Sequence, residues 1–153
     1  MPIMDSQLLL CEELSVAAAA GASTVSTNVI YLPAPVDHKG TSIDDRPNQS
    51  GRLYFNVVVE GTALLAAVDG SVVTFALYND TDSTPTTGGT VICSKAVTCN
   101  TPTEHPDGTL ICSIPLPATT LEAYYGMLVS VATQELSAGT VTAWIGGPVH
   151  SNM

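Results

Sequence analysis

Basic residues are nearly missing from this chain. Lys39, Arg46, Arg52 and Lys95 stand alone against 14 Asp and Glu in 153 residues, for a formal net charge of −10 at pH 7. A protein that grips a phosphate backbone gains free energy by releasing counterions through Lys and Arg, so this scarcity excludes nucleic acid as a direct partner. The same repulsion acts against an anionic membrane surface, and no apolar run approaches the ~20 residues of a bilayer-spanning helix. Aromatic residues are scarce as well, at 5%. Charged residues reach only 12%, about half the share of an average globular domain. No CxxC or HxxxH spacing occurs, which leaves Cys11, Cys93, Cys99 and Cys112 without a zinc pattern and reads them as structural thiols.

The N-terminal stretch also lacks something. Residues 1–23 contain apolar side chains and an alanine run, but Asp5, Glu12 and Glu13 replace the basic start and unbroken apolar centre of a secretory signal. Export is not expected, and the cysteines are expected reduced. Cys93 and Cys112 fall where neighbouring strands would let them face each other, although nothing in the spacing selects that pair.

What the chain does contain is 45% apolar residues and an abundance of Ser, Thr, Asn and Gly. A chain of this length forms one domain with a real core and needs no staples. Short alternating Thr/Val-rich runs recur, which is the signature of half-buried strands. They cover residues 27–32, 53–60, 71–78, 90–98, 109–116, 126–133 and 140–145. Pro33 and Pro35 close the first, and a long polar loop follows over 33–51. Asp107-Gly108 marks the tip of an expected hairpin between 90–98 and 109–116, and Ser137-Ala138-Gly139 the turn of a last hairpin. Seven strands and an N-terminal extended segment come close to the eight of a jelly roll. The expectation is an all-β, single-domain, jelly-roll-like antiparallel β-sandwich over residues 24–153, preceded by an extended N-terminal arm and lead-in over 1–23.

Four segments in order carry a family resemblance: Asp5-x-Gln7-Leu8, Ser26-Thr27-Asn28-Val29-Ile30-x-Leu32, LYFNVVV over 53–59, and Ala138-Gly139-Thr140-Val141-Thr142-Ala143. Across most of its length the chain resembles the jelly-roll capsid cement, or decoration, proteins of tailed bacteriophages. The resemblance implies a structural virion protein, made in the host cytoplasm, that binds the outer surface of an icosahedral head and staples neighbouring major capsid protein subunits. It also implies a homo-oligomer, most often a dimer. The long 33–51 loop and the 100–107 tip depart from the family pattern, so no contact made there carries over.

Catalysis finds no footing. His38, His105 and His150 are scattered through loops and the terminus with no nucleophile in a recognisable arrangement. Asp37, His38, Asp44 and Asp45 offer oxygen ligands in one loop, yet without the spacing of a calcium motif, and a solvated or interface loop is the better reading. No catalytic residue, cofactor or metal site is expected, and the protein is not read as an enzyme. The candidate contacts are Asp5, Gln7, Leu8, Leu9 and Leu10 in the arm, whose apolar tip is costly to leave in water, and Asp44, Asp45 and Arg46 in the long loop. Two alternatives remain. A carbohydrate-binding, lectin-like β-sandwich would need an exposed aromatic beside polar groups, but Trp144, the only tryptophan, is expected in the core. A jelly-roll enzyme would need clustered histidines, which the sequence does not supply. One member of Tyr124-Tyr125 is expected to point outward.

Overall fold

A computed structural model describes residues 8–32, 53–101, 105–117 and 122–149. Their backbone is organised in strands, with no α-helix among the described residues. In chain order the strands are β1 (Leu9–Ser15), β2 (Ser23–Val25), β3 (Ile30–Tyr31), β4 (Tyr54–Val59), β5 (Leu65–Ala66), β6 (Ser71–Asp80), β7 (Thr90–Cys99), β8 (Leu110–Pro115), β9 (Tyr124–Ala132), β10 (Leu136–Ala138) and β11 (Thr140–Gly146). A 3-10 turn at Pro85–Thr87 separates β6 from β7.

The alternation that announces these strands in the sequence is the alternation that buries them. Val73, Phe75 and Leu77 on β6, Met127, Val129 and Val131 on β9, Phe55, Val57 and Val59 on β4, and Val141, Ala143 and Ile145 on β11 are all buried. Each set recurs at every second residue, so one face of each strand faces the core. Fully burying a Val, Leu or Phe side chain is worth about 1.5–3 kcal/mol, and this interior is the main source of stability.

Two sheets pack across that core. One runs β1-β11-β4-β8 and the other β2-β9-β6-β7, with β3 adding to β9; every pairing is antiparallel. The strand partners are nested: β1 with β11, β2 and β3 with β9, β4 with β8, and β6 with β7. The chain is thus an all-β antiparallel sandwich, as the composition implies.

Several local expectations are corrected. Residues 126–133 and 140–145 do not form a hairpin, because β9 and β11 belong to opposite sheets. The chain crosses between the sheets through β10, which pairs with β5, and Gly139 makes the crossing possible: its φ is +151°, and a Cβ there would lie 2.5 Å from Leu64 Cδ2. The 100–108 connection also joins opposite sheets, although Asp107-Gly108 does turn the chain, with Gly108 at φ +86° and its amide on the Val59 carbonyl. The strand expected over 27–32 is shorter and split. Ser26 stays paired with Met127, its amide donating to Met127 O at 2.8 Å and its hydroxyl accepting from the Met127 amide at 3.1 Å, and Asn28 turns to the other sheet, donating its amide to Leu10 O at 2.9 Å and its Nδ2 to Leu9 O at 3.2 Å. Within residues 1–23, Leu9–Ser15 pairs with β11 as an edge strand of the sandwich.

Candidate functional site

The candidate contact residues divide sharply. Leu8, Leu9 and Leu10 lie at the start of β1, where Leu9 opposes Trp144 and Leu10 is completely buried in the core. Leu10 is therefore a core residue of its own sheet. Asp5, Gln7, Asp44, Asp45 and Arg46 lie outside the described residues, as do the Asp37 and His38 of the loop.

No group of three or more His, Cys, Asp or Glu side chains that could hold a metal ion comes together among the described residues. No described helix is long and apolar enough to cross a membrane. His105 places Nε2 3.0 Å from Thr98 O while its backbone bridges to Leu64, which makes it a tie across the β7–β8 connection. The Asp69 carboxylate is held below the usual range by the Thr101 hydroxyl, at 2.6 Å, and then by the Thr101 amide; it pins two turns together.

None of the four cysteines is in a disulfide. Burial pushes the Cys11 thiol up to about 11, partly offset by the Ala143 backbone. Cys93 and Cys112 rise to about 12, Cys93 by burial and then by the neighbouring Cys112, and Cys112 by burial against the opposing pull of Lys95 and the Val57 backbone. Nucleophilic thiols need the opposite shift, so these are inert packing groups. Cys93, opposite buried Leu77, and Cys112, opposite buried Val57, stand on inward positions of β7 and β8 in opposite sheets, rather than on neighbouring strands of one sheet.

Strand edges and sheet faces are where contacts with other chains can form. The β1 edge is blunted: two register irregularities interrupt its ladder, Glu13 sits at φ +45°, and Asn28 occupies the Leu9 and Leu10 carbonyls. The β7 edge is different. It is the outer strand of its sheet, ten residues long, with a single irregularity against β6. Its only charge is Lys95, which opposes the fully buried Phe75 and therefore stands on the inward register, yet is exposed at this edge. An inward-register charge on an edge strand is a barrier to indiscriminate strand pairing.

The outer face of the β1-β11-β4-β8 sheet carries Trp144, half-buried and opposite Leu9 and Asn56, so the tryptophan expected in the core instead faces outward. Its indole lies against Gly146, where a Cβ would meet Trp144 Cδ1 at 3.1 Å. Asn56 on the same face is fully buried, because the segment after β11 folds back over it: Nδ2 donates to Gly147 O at 3.0 Å, Ser113 Oγ donates to Oδ1 at 2.6 Å, and the Val149 amide donates to Ser113 Oγ at 3.1 Å. On the opposite sheet Tyr125 is buried while Tyr124 faces out, its ring centroid 4.8 Å from that of Tyr31 at 38°, and Tyr31 is 56% exposed. Sequence reading missed the outward Trp144 and the Tyr31–Tyr124 pair. The alternation Cys93, Lys95, Val97 along β7 does put Lys95 in the inward row; nothing local signals the cover over Asn56.

No protein-family model matches this sequence, and no curated protein matches it.

Proposed function

We propose that the protein is a capsid cement protein that binds the outside of an icosahedral phage head and staples major capsid protein subunits. The observation that carries the reading is topological. Three of the four segments that resemble this family fall at β2–β3, β4 and β10–β11, within a set of strands whose partners nest β1 with β11, β2 with β9, β4 with β8 and β6 with β7. A sheet pair built from such nested partners is what folding a long hairpin over on itself produces, and this supports a jelly roll as the finer description of the sandwich.

The role suits the surface. A staple works without chemistry, through broad contacts whose individual terms are weak. The β7 edge offers main-chain hydrogen bonds to an added strand, and Lys95 favours a partner strand with an acid opposite it. Loop residues Asp44, Asp45 and Arg46 and arm residues Asp5 and Gln7 add polar contacts. Reconstruction of virions from the source tests this directly. Density for the chain should lie outside the capsid floor and bridge at least two capsid subunits; density on the inner face or only in the tail refutes the proposal.

A second reading, a carbohydrate-binding sandwich, has one observation in its favour: exposed Tyr31 tilted against Tyr124, with Asp80 opposite Tyr124 on the next strand. An exposed ring is a platform for the apolar face of a sugar, and a nearby carboxylate can accept from its hydroxyls.

A further inference from the structure

The outer face of the β2-β9-β6-β7 sheet is almost free of charge in a protein of net charge −10. Its outward positions alternate with the buried ones. One cross-strand row reads Val25, Leu128, Ala76 and Ser94, and the next includes Ser130 and Ala96. No Asp, Glu, Lys or Arg occupies an outward position of β2, β9 or β7, and on β6 only Asp80 does, at the strand's end. The remaining described acids sit on β1 or in the connections, such as Glu60, Asp69, Asp107, Glu122 and Glu135. Val25 at 52% exposure and Val91 at 45% are two of the exposed large hydrophobics of the molecule, and both stand on this face.

We infer that this face is where two copies of the chain pair, sheet against sheet about a two-fold axis. Two molecules each carrying −10 repel most where their acids oppose, and a symmetric contact places every residue near its own counterpart region. Only a neutral surface escapes that penalty. The other outer face is partly occupied by Gly147 and Val149 and is flanked by Glu12 and Glu13 on β1. Self-pairing along the β7 edge is opposed by Lys95, which lies mid-strand and would face its own copy in a centred antiparallel pair. The Pro85–Thr87 turn covers this face at Gly126, where a Cβ would lie 2.8 Å from Pro85 Cγ; away from that end, small side chains such as Ala76, Ser94 and Ala96 leave the face flat enough for sheets to stack about 10 Å apart. Strands of three, nine, ten and ten residues give a footprint of at most roughly 500 Å² in projection, at the low end for a specific dimer, so the pairing is reversible. This contact needs no shell, and it stands or falls separately from the cement role.

Sedimentation of the full chain across roughly 5–200 µM should show a monomer–dimer equilibrium. Ala96→Asp and Ser94→Asp, both at exposed positions, should each weaken it by roughly tenfold or more. Val68→Asp adds the same charge at a 58% exposed site in the β5–β6 connection and should leave it unchanged. Thermal melts establish that the variants fold, and the wild-type concentration series decides the matter even if one of them does not. A wild-type chain that remains monomeric, face variants that dimerise normally, a Val68→Asp chain weakened equally, or a monomer retained on immobilised glycan through Tyr31 overturns the inference.

Discussion

At the scale of single residues, the most informative side chains are polar groups satisfied in unexpected places. Asn56 and Ser113 hold the chain that follows β11 against the outer sheet face, and Asn28 closes the side of the sandwich between β1 and β3. No sequence pattern marks such residues, because their partners lie 91 and 19 positions away. The cysteines are the reverse case, since their apolar surroundings fix their titration. An unfolded thiol titrates near 9.0, while Cys11, Cys93 and Cys112 hold their protons to about 11, 12 and 12 in the native chain. Below about pH 9 both states are protonated and stability does not change. From about pH 9 upward the unfolded state binds fewer protons than the native one, so stability falls through the window toward 11–12. Melting temperatures measured between about pH 8.5 and 10.5 should decline for the wild type and decline less steeply for Cys93→Ala, which removes one of the shifted groups. Parallel slopes would show that this thiol is not desolvated.

Among the elements, strand existence was legible and strand partnership was not. The runs over 53–60, 71–78, 90–98 and 109–116 became Tyr54–Val59, Ser71–Asp80, Thr90–Cys99 and Leu110–Pro115, because period-two burial is written locally. Pairing is written over the whole chain. Cys11 opposes Ala143, and a turn signal such as Ser137-Ala138-Gly139 states that the chain reverses without stating which sheet it enters. The two-residue β5 and three-residue β10 are too short to show any period. The candidate arm was half legible for the same reason: its apolar tip was visible, but that the tip fills its own core depends on β11. This separates two truncations. Removing residues 1–10 takes away Leu10 from a fully buried position and should destabilise the fold by about 2–5 kcal/mol, read as a lower melting temperature. Removing residues 1–7 spares β1 and should leave the melting temperature unchanged while weakening retention on capsids through the loss of Asp5 and Gln7. Unchanged retention after the shorter cut would remove those two residues from the interface.

For the whole molecule, the charge of the described residues is distributed by position in the architecture: a nearly neutral sheet face, and acids on β1, at the end of β6 and in the connections. Composition alone gave the total of −10 but not this separation, in which every outward position of β2, β9, β6 and β7 except Asp80 carries an uncharged side chain. Two interfaces of opposite salt dependence follow. Pairing through the neutral face is opposed only by the long-range repulsion between two acidic bodies, and salt shortens the reach of that repulsion from about 10 Å at 0.1 M toward 3 Å at 1 M. Self-association should therefore tighten as sodium chloride is raised. Contacts of the acidic connections with basic groups on a shell are attractive, and the same screening should loosen them. Sedimentation of the free chain and its retention on purified heads, measured across one salt series, should move in opposite directions by several-fold. If self-association weakens with salt, acids lie inside the copy-to-copy contact and the pairing face has been misplaced. If retention on heads is indifferent to salt, the acidic rim contributes nothing to the grip, and the β7 edge must supply it through main-chain hydrogen bonds.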